Sequence, residues 1–442
     1  MKIALIAMSG IRACDEELLK LGLTLPGFVE RSKQIASLPS LGLLTLAGMT
    51  PREHRVTYHE TPDISTLRSL PVDVDLVAIS SLSAQVKDAY VVAAHYRALG
   101  IPVVMGGLHV TSTPGEAEAL GIIAVRGEGE IAWPLILRDA ARGALAPTYD
   151  VSAQEFDLRN APMPAFELLD LDRYNRITLQ TSRGCPWRCT FCASSILLTR
   201  KYKQKPVAKV LAEIDRIRTL WQRPFIEFAD DNSFVNRDYW HELLPQLEKR
   251  RIRWFAETDL SVYEDDALLA KMRAAGCAQV LIGFESPVEQ GLSGVESRRN
   301  FKHARFADYR EAIRRIQAHG ITVNACFVLG LDGHGPGVFD ALYGFVREVL
   351  PFDVQITVPT PFPGTPFYRQ LQKDDRLIED GAWEKCTLFD INFKPRGMSA
   401  AELRCGFHQL TRTLYSDDFT RARRSAFFHS LRNVELRRKR AA

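Results

Sequence analysis

Three cysteines, Cys185, Cys189 and Cys192, fall within the short stretch GCPWRCTFC. Thiolates are soft ligands that select zinc or iron–sulfur clusters. A structural zinc site needs four protein ligands, and no second CxxC or HxxxH pattern lies nearby. A catalytic zinc site with three cysteines and neither histidine nor carboxylate would be unusual. Three thiolates can instead hold three irons of a [4Fe–4S] cube and leave the fourth iron open, which is the interpretation that the spacing favours.

The elements around these cysteines alternate strand and helix from residue 175 to about 370. Six apolar strands each precede an amphipathic helical pattern, and the first strand, RITLQTS, ends just before the cysteines. Such alternation predicts a parallel sheet, and six repeats predict a partial (β/α)6 barrel of the TIM type. A barrel carries its chemistry at the carboxyl ends of its strands. The candidate carboxylates at those ends are Asp230, Asp231, Glu257, Asp259 and Glu285.

The first 145 residues show the same alternation at a shorter spacing, beginning with the apolar run KIALIAM. This pattern predicts a doubly wound, Rossmann-like domain, in which ligands bind at the carboxyl ends of the strands. The fold class is therefore α/β. We expect this domain at 1–145, an irregular linker at 146–174, the barrel at 175–370, and a helical C-terminal region at 371–442 that ends in a basic tail.

Composition restricts the possible classes of function. The net charge of +4 is too small to indicate a nucleic-acid partner, and we expect none. The N-terminus lacks the pattern of a signal peptide, and no apolar stretch reaches the roughly 18 residues of a membrane span, so we expect a cytoplasmic protein. The five cysteines outside the cluster are expected to be small buried apolar residues; they are Cys14, Cys277, Cys326, Cys386 and Cys405.

The CxxxCxxC pattern, with Phe191 before its last cysteine, resembles the radical S-adenosylmethionine (SAM) superfamily. The resemblance implies that SAM chelates the open iron, and that its reductive cleavage yields a 5′-deoxyadenosyl radical that abstracts hydrogen from substrate. Asp230 and Asp231 stand where the family commonly has Gly-Gly-Glu to receive the SAM ammonium, and either could do so. Glu285 is the expected acceptor for the ribose hydroxyls, with Glu257 a weaker candidate. No catalytic side chain is identified.

The N-terminal domain resembles the cobalamin-binding domain that precedes the barrel in one branch of this superfamily. The similarity covers most of residues 1–370. Cobalamin is therefore an expected cofactor. One departure is the absence of the Asp-x-His-x-x-Gly motif, since the region after the first strand reads MSGIRACDEELLK. The expected contacts follow three strands; they are Ser80, Leu82, Gly106, Gly107 and Glu128.

The leading function implied by the resemblance is cobalamin-dependent methyl transfer to an unactivated carbon of a small molecule. The alternative is a non-methylating cyclase, ring-contraction or rearrangement enzyme of lipid, tetrapyrrole or natural-product biosynthesis. An electron carrier without catalysis is a remote third. An external donor such as flavodoxin or ferredoxin is the expected partner. The basic tail could contact an anionic membrane, but a solvated end is favoured.

Aromatic residues near the strand ends suggest an apolar or ring-containing substrate, although core packing would explain them equally well. They are Trp187, Phe234, Phe284, Phe362 and Phe367.

Overall fold

Six parallel strands form the first sheet, in the order β2-β1-β3-β4-β5-β6. The structure is a computed structural model and describes residues 1–10, 13–21, 38–194 and 201–441. The strands are β1 Lys2–Met8, β2 Arg55–Thr61, β3 Leu76–Ser80, β4 Val103–Gly106, β5 Ile123–Arg126 and β6 Thr148–Asp150. The helices of this part are Glu16–Lys20, Leu41–Met49, Val86–Ala98, Leu108–Ser112, Pro114–Ala119 and Gly129–Ala141.

The strand order places a topological switch between β1 and β3, since the chain leaves β1 toward β2 on one side and later returns to β3 on the other. Open α/β sheets of this flavodoxin-like order bind ligands outside the carboxyl ends of the strands at such a switch. Residues 3–8 of β1 are all buried because helices cover both faces of the sheet. The predicted Rossmann-like fold is confirmed.

The second sheet also has six parallel strands, in the order β14-β13-β12-β11-β10-β7. They are β7 Ile177–Leu179, β10 Phe225–Phe228, β11 Arg253–Thr258, β12 Cys277–Glu285, β13 Thr322–Val328 and β14 Asp353–Thr357. The helices between and after them are Val207–Leu220, Arg237–Arg250, Asp266–Ala274, Phe301–Ala304, Tyr309–Ala318, Val338–Val349 and Pro366–Lys373. Six strands in sequential order, with helices between them, confirm the predicted six-stranded, barrel-like fold.

One face of each second-sheet strand packs on the helices, and the other face lines the inside of the sheet. Phe228 and Trp254 pack edge to face, and both contact Trp240 of the helix Arg237–Arg250. Alternate residues of β10 and β11, such as Glu227 and Glu257, therefore face the opposite, inner side. The aromatic core fixes the outer face and so decides which carboxylates point inward.

Four strands were not predicted: β2, β6, β8 Ser182–Arg183 and β9 Lys203–Gln204. β2 is an edge strand whose residues are mostly half-buried, and β6 lies in the segment that we expected to be irregular. β8 and β9 form a small antiparallel pair that brackets the cysteine loop. The division into domains remains a proposal, and the first sheet extends to Asp150.

The C-terminal region is helical over Ala400–Leu414 and Asp417–Ala441, and Ala442 lies outside the described residues. Ser399 and Glu402 form a capping box that begins the first of these helices. The first part of the basic run is not solvated as expected. Arg423 is fully buried and donates to the Leu414 carbonyl at 2.7 Å, and Arg424 donates to Asp353 at 3.1 Å.

Candidate active site

The loop that carries the three cysteines follows β7 and is fixed by hydrogen bonds from its own backbone. The Gly184 N–H donates to Asp231 Oδ2 at 2.7 Å, and the Arg188 N–H donates to Glu296 Oε1 at 3.1 Å. Gly184 has φ 94°, a left-handed conformation that favours glycine. The carboxyl ends of β7 and β10 thus hold the start of the loop, and the segment around Glu296 holds its middle.

The three cysteine thiols are half-buried and lie near one another. Burial raises the pKa of Cys185 to about 11 and that of Cys189 to about 12, and Cys192 acts on both through its charge. Within the described ranges, no three His, Cys, Asp or Glu side chains converge on one point that could hold a single metal ion. A cube takes each thiolate on a different iron, so near but separate thiols fit a cluster better than a zinc ion.

A polar group lies against Cys185. Asn232 Nδ2 is 3.8 Å from the Cys185 sulfur and donates to Asp259 Oδ2 at 2.7 Å. The indole N–H of Trp187 donates to the same Asp259 oxygen at 2.7 Å. Hydrogen bonds to cluster sulfurs and the dipoles behind them tune such a centre. No sequence pattern singled out Asn232, although it directly follows the two aspartates.

The two adjacent aspartates have different surroundings. Asp230 is 3% exposed and accepts four hydrogen bonds, from both the N–H and the hydroxyl of Thr181, from the Ser182 N–H and from the Ser233 hydroxyl. These contacts occupy the acceptor capacity of a carboxylate. Asp231 is half-buried and accepts the Gly184 N–H, and the Ser194 side chain also forms a hydrogen bond with it. Burial raises the pKa of both carboxyls. Asp231 therefore keeps acceptor capacity for a ligand.

Glu285 ends β12 in an unusual backbone conformation. Its φ is 65°, and the pairing of β12 with β13 shifts register between Gly283 and Glu285. The next residue, Ser286, contacts His334 Nε2 at 2.8 Å. His334 Nδ1 accepts the Gly330 N–H at 3.2 Å, which makes Nε2 the protonated nitrogen. Burial lowers the pKa of His334 to about 4, so the imidazole is neutral at neutral pH.

Glu257 lies on the inner side of the second sheet. Its side chain is exposed, although many protein atoms lie around the carboxyl group. Burial, and then the charge of Glu227, raises its pKa to about 7. Glu227 itself forms an ion pair with Arg176. Glu257, the weaker candidate for SAM binding, is therefore an inward-facing carboxyl among other acidic side chains. A surface ion pair does not account for its position.

The aromatic residues near the strand ends divide into two groups. Phe234 and Phe284 are buried core residues; the second stacks on Phe327 at 5.7 Å. Trp187 stacks on Phe301 at 3.9 Å beside the cysteine loop. Core packing thus accounts for the first two, which leaves them no role in a substrate site. Phe191 packs against a small apolar cluster formed by Val295, Val328 and Leu331.

The predicted cobalamin contacts lie at the carboxyl ends of β3, β4 and β5. Ser80 is half-buried, whereas the Leu82 side chain is 48% exposed beside the topological switch. Gly107 has φ 106°, and a Cβ there would lie 3.4 Å from the Ser81 carbonyl oxygen. Two consecutive glycines and an exposed leucine at this edge allow a large planar ligand to approach the backbone, so these residues fit cobalamin.

Glu128 is occupied by partners within the chain. It is 4% exposed; Oε1 accepts from Arg183 at 2.6 Å and from Lys203 at 2.8 Å, and Oε2 accepts from the Phe156 N–H at 2.7 Å. Arg183 also donates to Glu130 at 2.7 Å. We call these four charged residues, Glu128, Glu130, Arg183 and Lys203, the interdomain ion cluster. It joins the carboxyl edge of the first sheet to the cysteine loop.

The loop after β1 is held by the C-terminal region. Asp390 accepts the N–H groups of Cys14 and Asp15 at 2.8 and 2.9 Å, and His408 Nε2 lies 2.9 Å from Asp15. A cavity of about 490 Å³ opens between these segments and is also lined by Leu18. Ile11 and Arg12, within the stretch examined for a histidine motif, lie outside the described residues.

His109, which follows Gly107-Leu108, is buried and has partners of its own. It contacts Ser83 at 3.1 Å and Glu116 at 3.2 Å, and Trp383 packs on its edge. Burial lowers its pKa. The expectation that all five remaining cysteines are buried is only partly right. Cys277 and Cys386 are buried, Cys326 is intermediate, and Cys14 and Cys405 are exposed.

Family comparisons match three segments of the chain. A model of the radical SAM superfamily matches residues 179–346, a B12 binding domain matches residues 36–137, and a domain of unknown function (DUF4070) matches residues 365–442. The chain thus carries a segment similar to B12-binding domains, followed by a segment similar to the radical SAM superfamily.

Among curated proteins, an uncharacterized methyltransferase of Synechocystis is 29% identical, over 81% of this chain and 67% of that protein. The bacteriochlorophyllide d C-12(1)-methyltransferase of Chlorobaculum tepidum is 26% identical over 85% and 82%. The solved radical SAM methyltransferase TsrM of Kitasatospora setae superposes with a TM-score of 0.66 at 16% identity, over 84% of this chain and 76% of that one, and supports the fold. Cyclases match as well, over less of the chain. None of the helices that the structure describes is long and apolar enough to cross a membrane.

Proposed function

We propose that this chain is a cobalamin-dependent radical SAM enzyme that transfers a methyl group to an unactivated carbon of a small molecule. The observation that carries the proposal is the interdomain ion cluster. Glu128 follows the first sheet's β5, and Arg183 precedes the first cysteine by two residues. Their contact turns the carboxyl edges of the two sheets toward each other. The site that holds the methyl donor and the site of hydrogen abstraction must face each other. The two opposed sheet edges supply such a pair of sites.

On the barrel side, Cys185, Cys189 and Cys192 would hold the [4Fe–4S] cluster. When bound, cluster and SAM supply a 5′-deoxyadenosyl radical, and cobalamin supplies the methyl group. Asp231 accepts hydrogen bonds from the SAM ammonium, since a carboxylate facing an ammonium forms a strong charge-assisted contact. Glu285 accepts from the ribose hydroxyls.

Two residues of the barrel site act on the loop and its surroundings. Asp230 fixes the strand end, because its four hydrogen bonds are all to protein. Phe191 and its apolar cluster limit water next to the cysteines. Exclusion of water protects a reactive radical from side reactions.

On the other side, Ser80, Leu82, Gly106 and Gly107 contact cobalamin at the switch between β1 and β3. Glu128 acts differently from our first expectation. Because its oxygens accept from Arg183, Lys203 and Phe156, we propose that it holds the two edges together and does not bind the cofactor.

The remaining features are proposals of the same kind. The division into two sheet-bearing domains, a linker and a C-terminal region is kept, with the first boundary moved from residue 145 to after Asp150, where β6 ends, and the last from residue 370 to after Lys373, where a helix ends. A cytoplasmic location suits three clustered free thiols, which need a reducing compartment. The substrate is a small molecule, and an external flavodoxin or ferredoxin supplies electrons. Relatives named for bacteriochlorophyllide and hopanoid methylation support an apolar or ring-containing substrate.

The first experiment measures iron, cobalamin and SAM cleavage in protein made anaerobically with cobalamin supplied. We expect about four irons and about one cobalamin per chain, and release of 5′-deoxyadenosine with a chemical reductant. The matched control replaces Cys185, Cys189 and Cys192 with alanine; it should keep cobalamin and lose iron and SAM cleavage. Incubation of the wild type with methyl-deuterated SAM and a small-molecule extract should then label a product by one methyl group.

The outcomes separate the alternatives. Four irons with no cobalamin, even after cobalamin is offered in vitro, would contradict the proposal and move the function to cyclisation or rearrangement. The protein could instead bind cobalamin, cleave SAM and consume an extract component without adding a methyl group. That result would also contradict methyl transfer and indicate cyclisation or rearrangement. An iron-loaded protein that does not cleave SAM would be an electron carrier.

A further inference from the structure

A buried lysine lies between Glu285 and the cysteine loop. Lys302, in the short helix Phe301–Ala304, donates to Glu285 Oε1 at 2.6 Å and to the Gly283 carbonyl at 2.7 Å. The side chains of Lys302 and Glu285 are 11% and 9% exposed. A buried ammonium is stable only when paired and hydrogen-bonded. Both conditions are met at the end of β12.

The backbone of β12 is shaped around this ion pair. Gly283 has ordinary φ, yet a Cβ there would lie 2.5 Å from Glu285 Oε1 and 2.9 Å from Lys302 Nζ. Any larger residue would therefore push the two charged groups of the ion pair out of their present positions. The register shift after Gly283 and the left-handed φ of Glu285 turn that carboxylate toward the lysine. Strain of this kind persists where the surroundings enforce it.

The same lysine lies in a segment that packs on the cysteine loop. Phe301, the residue before it, stacks on Trp187 of that loop at 3.9 Å, and Cys189 forms an antiparallel bridge with Glu296 of the segment that leads to the lysine. The buried ion pair with Glu285 favours the charged form of the ammonium. Its two described hydrogen bonds use two of the three ammonium donors.

We propose that Lys302 is a positioning residue that fixes the Glu285 carboxylate and places a permanent positive charge beside the Cys189 ligand of the cluster. A nearby cation stabilises the more negative, reduced form of a cluster and so raises its reduction potential. The proposal rests on the proposed function, since it needs the cluster at these cysteines. In this proposal, the Lys302 side chain affects both the binding of the SAM ribose by Glu285 and the reduction potential of the cluster.

The test is a potentiometric titration of the reconstituted enzyme, followed by electron paramagnetic resonance. We expect Lys302→Met to shift the midpoint potential to a more negative value, and Lys302→Arg to restore most of the shift. SAM affinity, read from the change in the cluster spectrum, should fall about tenfold in Lys302→Met because Glu285 loses its anchor, a loss of about 1.4 kcal/mol. The double variant Lys302→Met/Glu285→Gln avoids an unpaired buried carboxylate and should still show the negative shift, reduced by the charge that Glu285 loses.

A matched control is available in the same domain. Lys205 and Glu213 form another buried Lys–Glu pair, at 2.7 Å, with side chains 5% and 2% exposed. Lys205→Met should lower stability and leave the potential unchanged. An iron-loaded Lys302→Met enzyme with wild-type potential and SAM affinity would overturn this inference alone. A wild-type protein that binds no cluster would overturn the proposed function instead.

Discussion

The two neighbouring aspartates show how one carboxylate can organise a site while the next serves a ligand. Asp230→Asn keeps an oxygen for the Thr181 and Ser182 N–H groups but places an NH2 donor opposite the Thr181 and Ser233 hydroxyls, which donate to Oδ2. We expect it to lower the free energy of unfolding by about 2–3 kcal/mol. Asp231→Asn should leave stability within about 1 kcal/mol and weaken SAM binding about tenfold. Urea unfolding and SAM titration of both variants test this prediction. Equal SAM affinities in the two variants would contradict the assignment of SAM binding to Asp231.

His334 should make the protein sensitive to mild acid. Its pKa falls to about 4 on burial, so between pH 6.5 and 4 the unfolded chain binds more protons than the folded one. Stability therefore declines as pH decreases through this window, by about 2 kcal/mol between pH 7 and 5. His334→Gln can keep both hydrogen bonds and should remove that part of the decline. Urea unfolding at the two pH values measures it; an unchanged slope in the variant would place the pH effect elsewhere.

For individual residues, the sequence predicted which side chains belong to the site better than it predicted which side chains contact one another. The three cysteines stood out because their spacing is local. Lys302 did not, because its partner Glu285 is 17 residues away and joined to it only by a bulge and a short helix. Arg183 and Glu128 are 55 residues apart and belong to different sheets. Contacts that depend on the packing of distant elements leave no local pattern.

The most readily predicted elements are strands whose residues are almost all buried. β1 and β12 read as nearly continuous apolar runs, which parallel sheets require. β2, RVTYHET, lies at a sheet edge with mostly half-buried residues, so it lacks that run. β8 and β9 have two residues each and owe their pairing to the loop they bracket. Tertiary context forms such strands, and propensity does not reveal them.

The interdomain ion cluster gives a prediction about elements. Arg183→Met leaves Glu128 and Glu130 buried without their arginine, and we expect a loss of about 3 kcal/mol in the free energy of unfolding. The triple variant with Glu128→Gln and Glu130→Gln should recover part of it.

The control for this prediction is Arg310→Met, which removes an exposed pair with Glu348 and should cost less than about 1 kcal/mol. Equal losses for Arg183→Met and Arg310→Met, measured by urea unfolding, would show that the interdomain ion cluster contributes no more than a surface pair.

Across the whole molecule, the C-terminal region covers part of the first sheet's carboxyl edge. Trp383 packs on His109 and donates to Glu116 Oε1 at 2.8 Å. Trp383→Ala should destabilise the protein by about 3 kcal/mol and speed amide hydrogen exchange in residues 107–119. Trp383→Phe keeps the packing and loses only the N–H contact, so its effect should be about 1 kcal/mol. Unchanged exchange in the alanine variant would mean that the edge is ordered without this cover.

The hydrogen bonds from Cys14 and Asp15 to Asp390 connect positions 376 and 375 residues apart. During translation the loop after β1 therefore emerges long before its acceptor exists. At about 5–20 residues per second, the ribosome needs on the order of 20–75 s to supply Asp390. Through that interval the first strand's loop is held by nothing from the C-terminal region. The carboxyl edge of the first sheet is thus completed only after Asp390 has been made, which places the final ordering of this loop well after the first sheet itself has been synthesised.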